Sequence, residues 1–116
     1  MQNYRNLLVW QKAHALALEI QLLTESWNSR ANPGLIGQLR RASLSIPSNI
    51  VEGSSRSGDK EFAKFIQIAI GSATEAEYQL QFAMDSGMAV EESTMPVIDK
   101  AVEVRRMLIG LLKKLR

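Results

Sequence analysis

The stretch EGSSRSGDKEF has the glycine spacing of a phosphate-binding loop. Gly53 and Gly58 stand five positions apart, as the two glycines of such a loop do. That loop also needs a strand before it and a lysine directly after the second glycine. Here a helical pattern precedes Gly53, and Asp59 places a negative charge where the lysine should stand. We therefore interpret the stretch as a polar turn between two helices, with Arg56 exposed at its tip.

Other side chains that carry out catalysis lack the partners they need. His14 is the only histidine, and the absence of cysteine excludes disulfides and thiolate metal sites. No serine has an accompanying His–Asp arrangement to activate its hydroxyl. Glu75 and Glu77 are two positions apart on a helical pattern, so their carboxylates diverge and cannot chelate one ion together. The sequence therefore predicts a non-enzymatic protein without a catalytic, cofactor-binding or metal site.

Basic residues are the remaining candidates for binding chemistry. The formal net charge is +2, and residues 105–116 hold five basic residues and no acidic one. Phosphate contacts to RNA or DNA would use this run together with three arginines upstream. The candidates are Arg40, Arg41, Arg56, Arg105, Arg106, Lys113, Lys114 and Arg116.

Two alternatives to phosphate binding remain open. Arg40 or Arg41, in a net-positive segment, can instead pair with Glu75 or Glu77 in a net-negative one. If such a pair is buried, removing one partner costs about 3–5 kcal/mol because it strands the other charge. The basic and apolar C-terminal run is also typical of a helix that lies on a membrane surface. Because Val104, Leu108, Leu111 and Leu115 continue the core row, the bundle explains this pattern and we expect no membrane partner.

Four segments repeat apolar residues at three- and four-residue spacing, and strand-like alternation is absent over any comparable length. Polar breaks at 28–34, 53–58 and 86–94 separate them. Short connections between amphipathic helices favour antiparallel neighbours. The sequence thus predicts an all-α, antiparallel up-down-up-down four-helix bundle with one domain over residues 1–116. The expected core rows are Val9, Ala13, Leu16, Ile20, Leu23 and Trp27; Ile36, Leu39, Ser43, Ile46 and Ile50; Phe62, Ile66, Ala69, Ala73, Ala76, Leu80 and Ala83; and Val97, Ala101, Val104, Leu108, Leu111 and Leu115.

Glycines and small polar residues predict where the helices begin and end. Gly34 is expected to begin the second helix, and Gly53 to follow it in the left-handed conformation, where positive φ carries no steric penalty. Ser57 or Asp59 is expected to cap the third helix by accepting an orphan N–H. Gly87 is expected to end that helix.

Two prolines fall within the helical patterns. Pro47 removes an N–H from the second segment, which costs about 3 kcal/mol or more in a helix interior. Because the apolar row keeps its phase across Pro47, a kinked helix is favoured over one that ends near Ser45 and restarts. Pro96 follows Ser93 and Thr94 and is expected in the first turn of the fourth helix.

The third segment carries a second row beside its core row. This row is apolar at its ends and polar in the middle, and the core alanines lie next to it. A helix that is apolar over so wide an arc is central in its fold or lies at a subunit interface. We therefore predict an oligomer interface along Phe65, Ile68, Ser72, Glu75, Gln79 and Phe82.

Long stretches of the chain resemble a known family. QLRRASLSIPSNIVEGSSRSG, followed by FAKFIQIAIGSATEAEYQLQFAMDSG, is similar to the four-helix-bundle proteins encoded in 23S ribosomal RNA intervening sequences, and VWQKAHALALEI extends the similarity toward the start. That family also includes the accessory variability proteins of diversity-generating retroelements. Residues that match the family pattern are Trp10, Ala13, Leu39, Arg40, Arg41, Ala42, Ser45, Ile46, Asn49, Glu52, Gly53, Phe65, Ala69, Gly71, Ser72, Glu75, Glu77 and Leu80.

The resemblance implies a four-helix bundle that forms a ring-shaped homopentamer. In the retroelement branch it also implies a basic barrel that binds nucleic acid and a reverse transcriptase. We expect a cytoplasmic protein, because no signal peptide pattern and no membrane-length apolar stretch is present. The leading functional prediction is an oligomeric accessory that binds nucleic acid or a nucleoprotein partner. The alternative is a structural or protein-interaction module without nucleic-acid binding.

Overall fold

The structure is a computed structural model that describes residues 3–116. It contains four α-helices: α1 (Leu8–Glu25), α2 (Pro33–Ser54), α3 (Asp59–Asp85) and α4 (Glu91–Leu115). A single 3-10 turn, Tyr4–Asn6, precedes α1. No strand occurs in the described range. The predicted all-α class is confirmed.

The four helices lie side by side along one axis. The molecule measures 44 × 20 × 20 Å, and helices of 18–27 residues are about 27–40 Å long. Between α2 and α3, Ser45 contacts Ser72, whereas Gly53, later in α2, meets Phe62, earlier in α3. Two ion pairs between α1 and α4 show the same reversal. α2 and α3 are therefore antiparallel, as are α1 and α4, and Arg40 early in α2 contacts Thr24 at the end of α1 in the same sense. Among the described helices α1 packs on α2 and α4 but not on α3, so it lies diagonally across from α3.

The predicted rows form one core cluster to which all four helices contribute. Leu23, Leu111 and Leu115 are half-buried, and every other member of the four rows is buried. Leu16, Ile20, Leu39, Ile46, Ile50, Ile66, Leu80 and Leu108 have almost no exposed surface. Each such side chain stabilises the fold by about 1.5–3 kcal/mol relative to an exposed one. The apolar residues thus repeat with the 3.6-residue period of an α-helix. This repeat determines which segments form helices and which faces of the helices pack together.

Gly53 has a different role from the predicted one. It lies inside α2, which continues to Ser54, and it is buried. A Cβ atom at this position would stand 2.7 Å from Phe62 Cδ1 and 2.8 Å from Phe65 Cβ. The prediction of a left-handed glycine after the helix is therefore wrong. Glycine is required here because the last turn of α2 packs directly against the first turns of α3.

The start of α3 also differs from the prediction. Neither Ser57 nor Asp59 caps the helix, because Gly58, with φ of +90°, occupies the N-cap position without a side-chain hydrogen bond. Asp59 and Glu61 instead lie in the first turn, where a negative charge interacts favourably with the helix dipole. The stretch that resembled a phosphate-binding loop is thus a short helix–helix connection.

The end of α3 follows the prediction. Gly87 has a φ of +81°, and its N–H donates to the Met84 carbonyl at 3.0 Å. The Met88 N–H donates to the Ala83 carbonyl at 2.9 Å. This pair of bonds is the Schellman motif, in which glycine adopts the left-handed conformation. Gly87 therefore ends α3 as expected.

The two prolines lie within continuous helices. α2 begins at Pro33, one residue before Gly34, with the Asn32 side chain accepting the Leu35 N–H at 3.1 Å. It then runs unbroken through Pro47 to Ser54, so the alternative of a helix that stops near Ser45 is wrong.

The fourth helix begins earlier than predicted. α4 starts at Glu91, after Val90 in an extended conformation, so Pro96 lies inside the helix rather than in its first turn. Thr94 is fully buried, and its hydroxyl has no hydrogen-bond partner within the described chain. Glu91 and Glu92 occupy the first turn, where their negative charges interact favourably with the helix dipole. No side chain caps this end of the helix by a hydrogen bond.

Candidate nucleic-acid interface

Charge is segregated between the two ends of the bundle. The antiparallel topology brings together the starts of α1 and α3 and the ends of α2 and α4. We define the basic end as the residues at these termini, up to six residues into each helix, with their connections. Eight basic side chains lie there: Arg5, Lys12, Arg56, Lys60, Lys64, Lys113, Lys114 and Arg116. Its three acidic side chains are Glu52, Asp59 and Glu61.

The opposite end has the reverse balance. Under the same definition this acidic end holds four carboxylates and one cation, which are Glu25, Asp85, Glu91, Glu92 and Arg30. Some of these charges also interact favourably with a helix dipole, because the first turn of α4 is acidic and its last turn is basic. The result is a bundle whose potential changes sign along its 44 Å axis.

Four of the predicted phosphate-binding residues lie at the basic end. Lys113, Lys114 and Arg116 are exposed, and none has a carboxylate within 4 Å among residues 3–116. Arg56 is held more firmly, because its Nη2 lies 3.0 Å from Glu52 Oε1 and its guanidinium 5.1 Å from the centre of the Phe65 ring. The lysines are thus free to meet a polyanion, whereas Arg56 already has a partner.

Arg105 and Arg106 lie farther from that end, on neighbouring faces of α4. The Arg105 Nε donates to Glu77 Oε1 at 3.0 Å, and the two side chains are only 27% and 31% exposed. This ion pair therefore links α4 to α3 in a partly desolvated position. Arg106 is exposed and lines a shallow surface depression with Asp99 and Glu103, which weakens its field toward an anion.

The second-helix arginines do not pair with the third helix. Arg40 is half-buried, and its Nε donates to Thr24 Oγ1 at 2.8 Å, which ties α2 to α1. Arg41 is exposed and borders the groove that also contains Glu75, with no ion pair within 4 Å among the described residues. The predicted pair of Arg40 or Arg41 with Glu75 or Glu77 is therefore absent within the described chain, and Glu77 pairs with Arg105 instead.

The predicted interface row is only partly covered by the rest of the chain. Ile68 is 52% and Phe82 41% exposed, and Glu75 is exposed as well. Ser72 is half-buried because its hydroxyl lies 2.9 Å from that of Ser45 on α2. Gln79 is buried, with its Oε1 lacking a hydrogen-bond partner in the described chain. Phe65, the remaining member, is half-buried beneath Arg56. The apolar extremities of the row therefore remain open to a partner.

The sequence prediction missed seven large apolar side chains that are exposed, namely Leu8, Leu18, Leu22, Leu44, Tyr78, Val90 and Met95. Tyr78 is 64% exposed and lies 6.3 Å from Phe82 between ring centres. Leu18 and Leu22 on α1 and Leu44 on α2 are 54%, 66% and 61% exposed. Leu18 and Leu22 could have been found from the sequence, because they belong to a second row on α1 with three- and four-residue spacing, outside the core row. Tyr78 and Phe82 border a groove of about 500 Å³ that continues to Gln38 and Leu35 on α2.

The described residues form neither a metal-binding cluster nor a membrane-spanning helix. No group of three potential metal-ligating side chains comes together within residues 3–116. No helix in that range is both long enough and apolar enough to cross a membrane.

The sequence model of the 23S rRNA-intervening sequence protein family matches residues 5–110. The chain belongs to this family. The resemblance seen in the sequence is thereby confirmed. The family match covers the basic-end residues of α1, α2 and α3 but stops before Lys113, Lys114 and Arg116.

A solved structure supports the same bundle. It is the crystal structure of a protein of unknown function from the S23 ribosomal protein family of Bacteroides thetaiotaomicron, with a TM-score of 0.82 and 23% sequence identity. The similarity covers 91% of this chain and 99% of that one. At this identity the likeness shows the fold alone. No curated protein sequence matches the chain.

Proposed function

We propose that the protein is a non-enzymatic, self-associating accessory that binds nucleic acid through phosphate contacts at its basic end. The observation that carries this proposal is the segregation of charge, with eight cations and three carboxylates at one end of the bundle. Lysine and arginine neutralise phosphates and release counterions, which supplies sequence-independent affinity. The proposed setting is the cytoplasm.

Self-association strengthens this reading. In a cyclic assembly whose axis runs along the bundles, every basic end faces the same way, so the weak field of one copy is repeated by symmetry. The proposed ring is a homopentamer, as the family resemblance implies. Lys113, Lys114 and Arg116 then form a cationic rim, because they are exposed and have no partner carboxylate among residues 3–116.

Binding of RNA and DNA across a salt series tests the proposal. Counterion release predicts that the logarithm of the affinity falls with the logarithm of salt concentration. The slope is about −0.9 per neutralised duplex phosphate, or about −0.7 for single strands. A slope that corresponds to several phosphates supports the proposal. Absence of binding to both polymers at low salt removes it.

A matched pair of variants locates the interface. Lys113→Glu and Arg30→Glu change the net charge equally, but they lie at opposite ends of the bundle. We expect Lys113→Glu to weaken nucleic-acid binding and to reduce the slope of its salt dependence by the equivalent of about one phosphate contact. The affinity and the slope of Arg30→Glu should be close to those of the unmodified protein. Equal losses in the two variants would show that only total charge matters and that the basic end is not the interface.

The second candidate function is a protein-interaction module that does not bind nucleic acid. The observation that favours it is the number of large apolar side chains left exposed on α1, α2 and α3. A reverse transcriptase is the partner that the retroelement branch of the family suggests. Copurification from native cells, with identification of both bound protein and bound nucleic acid, separates the candidates. Recovery of a protein partner without nucleic acid would favour this second function.

A further inference from the structure

α1 carries a second row of residues that faces away from the bundle core. Leu8, Gln11, Ala15, Leu18 and Leu22 follow the alternating three- and four-residue spacing of a coiled-coil seam, and all five are exposed. The three leucines are between 54% and 66% exposed. We call this row the α1 seam. Burial within the chain does not account for it, because α1 already packs into the core through a different row that includes Leu16 and Ile20.

α3 carries a matching row on its outer side. Ile68, Gly71, Glu75, Tyr78 and Phe82 have the same order of spacings, and all five are exposed. We call this row the α3 seam. Each seam extends over 14 residue steps, or about 21 Å of helix. The two seams therefore agree in length and in the positions of their side chains.

The two seams cannot cover each other within one molecule. α1 and α3 occupy diagonal corners of the bundle and make no direct helix–helix contact in the described chain. Each seam thus needs a partner from outside. Exposed rows of this kind on a small domain mark an interaction surface.

We propose that the α1 seam of one copy packs along the α3 seam of the next copy. The inference rests on the self-association in the proposed function and adds the surfaces that carry it. The occupant is a second copy because this chain itself supplies both complementary rows. Knobs-into-holes packing of an α1 seam on an α3 seam would bury Leu18 and Leu22 of one copy and Tyr78 and Phe82 of its neighbour.

The position of Glu75 favours this pairing over a symmetric one. Glu75 stands at the centre of the α3 seam, so a two-fold α3–α3 contact would press two copies of this carboxylate together. Like charges held close in a desolvated contact are strongly unfavourable. The centre of the α1 seam is Ala15, which is small and uncharged. The groove that Ala15 lines also holds Glu19 and Glu103, and each of these carboxylates is already paired with a lysine of the same chain. The groove on the other side, beside Leu18, contains His14 and Arg41.

An α1–α3 contact is heterologous and therefore repeats. Each added copy presents one free seam of each kind, and the assembly either closes into a ring or continues as a filament. α1 and α3 run in the same direction, since each is antiparallel to α2. In a closed ring they would pair in parallel, with Leu18 near Tyr78 and Leu22 near Phe82 of the next copy. The basic ends would then share one face of the ring.

Cysteine cross-linking tests the pairing directly, because the chain has no cysteine of its own. Disulfide formation requires Cα atoms within about 7 Å, and diagonal corners keep positions 18 and 78 of one copy apart. We expect the Leu18→Cys/Tyr78→Cys double variant to give a ladder of covalent multimers on mild oxidation. Each single variant should give none. A double variant of Ser48→Cys, exposed on α2, with Tyr78→Cys is the matched control and should not form the ladder.

The other outcomes separate this inference from the proposed function. Covalent dimers from Tyr78→Cys alone would show an α3–α3 contact and overturn the pairing while leaving self-association intact. A double variant that is oligomeric but gives no ladder, either by oxidation or with a short bismaleimide, would overturn the pairing in the same way. A monomer at micromolar concentration would remove self-association altogether, whatever the salt-dependent affinity for nucleic acid.

A substitution that preserves the helix provides a second readout. Leu22→Glu places a charge in the α1 seam at a position 66% exposed in the single chain, so the bundle itself should fold. We expect assembly to weaken by about tenfold or more, as for loss of an apolar anchor from an interface. Unchanged assembly, measured by light scattering, would contradict the pairing.

Discussion

The inner and outer faces of α3 differ in where they carry their large apolar side chains. The inner row contains Ala69, Ala73 and Ala76, each with no exposed surface. The outer row contains Ile68, Tyr78 and Phe82, which are 41–64% exposed. The inner row is large only toward its ends, at Phe62, Ile66 and Leu80, so α3 carries large apolar side chains on both faces. The central alanines allow close helix approach on the inner face, and the proposed neighbouring copy would cover the large side chains of the outer face.

The largest expected effect comes from truncating the inner face. Leu80→Ala removes a fully buried side chain and should lower the free energy of unfolding by about 2–5 kcal/mol, because it loses transfer energy and leaves a cavity. Denaturant unfolding of the dissociated protein measures this change in the free energy of unfolding. Ile68→Ala, on the outer face of α3, is the control and should change the same quantity by less than about 0.5 kcal/mol. Comparable losses in both would erase the distinction between the two faces.

A smaller loss is expected where α2 meets α3. Gly53→Ala would bring a methyl group to 2.7 Å from Phe62 Cδ1 and 2.8 Å from Phe65 Cβ. The overpacking should destabilise the fold by about 1–3 kcal/mol, in spite of the better helix propensity of alanine. Thermal unfolding would record a lower Tm. A rise in Tm would mean that the helix ends separate readily and that close packing does not require this glycine.

Thr94→Val, on the buried face of α4, should stabilise the fold. The Thr94 hydroxyl is buried without a hydrogen-bond partner in the described chain, and such a group carries a desolvation penalty of about 1–3 kcal/mol. Valine keeps the shape and removes the hydroxyl. Denaturant unfolding should therefore show an increased midpoint with an unchanged m-value. A decreased midpoint would show that the hydroxyl is satisfied in solution.

Two helix-interior glycines give the smallest and most discriminating comparison. Gly71 and Gly110 are both exposed, and nothing lies within 4 Å of a Cβ built at either position. Gly110→Ala should stabilise the protein by up to about 1 kcal/mol through helix propensity. Gly71→Ala should give the same gain in the dissociated protein, but it should weaken assembly because position 71 lies in the α3 seam. Identical effects on assembly would place Gly71 outside the interface.

The fold was predictable because burial repeats with the helical period. The rows through Leu16, Leu39, Ile66 and Val104 are continuous in sequence, so their faces can be assigned without coordinates. Gly53 was misassigned because a glycine near a helix end looks the same whether it serves a left-handed turn or a close approach. Only the distances to α3 distinguish the two roles.

The candidate site was less predictable. The Arg105–Glu77 pair joins residues 28 positions apart in the chain, so its partners depend on how α3 and α4 are rotated against each other. Segregation of charge between the bundle ends also depends on topology, because it combines residues from all four helices. The α1 seam was available in the sequence as a second row, but only its exposure shows that the core does not use it.

The central claim is that the outer faces of α1 and α3 are covered by other copies of the chain. Molar mass in solution, measured by light scattering over a range of protein concentrations, tests it most directly. If other copies cover these faces, the molar mass is a defined multiple of the 12.9 kDa protomer. This mass should fall when Leu22→Glu is introduced and should be retained in Lys113→Glu. A mass of one protomer at micromolar concentration would contradict it, because the exposed leucines and aromatic residues would then remain in water.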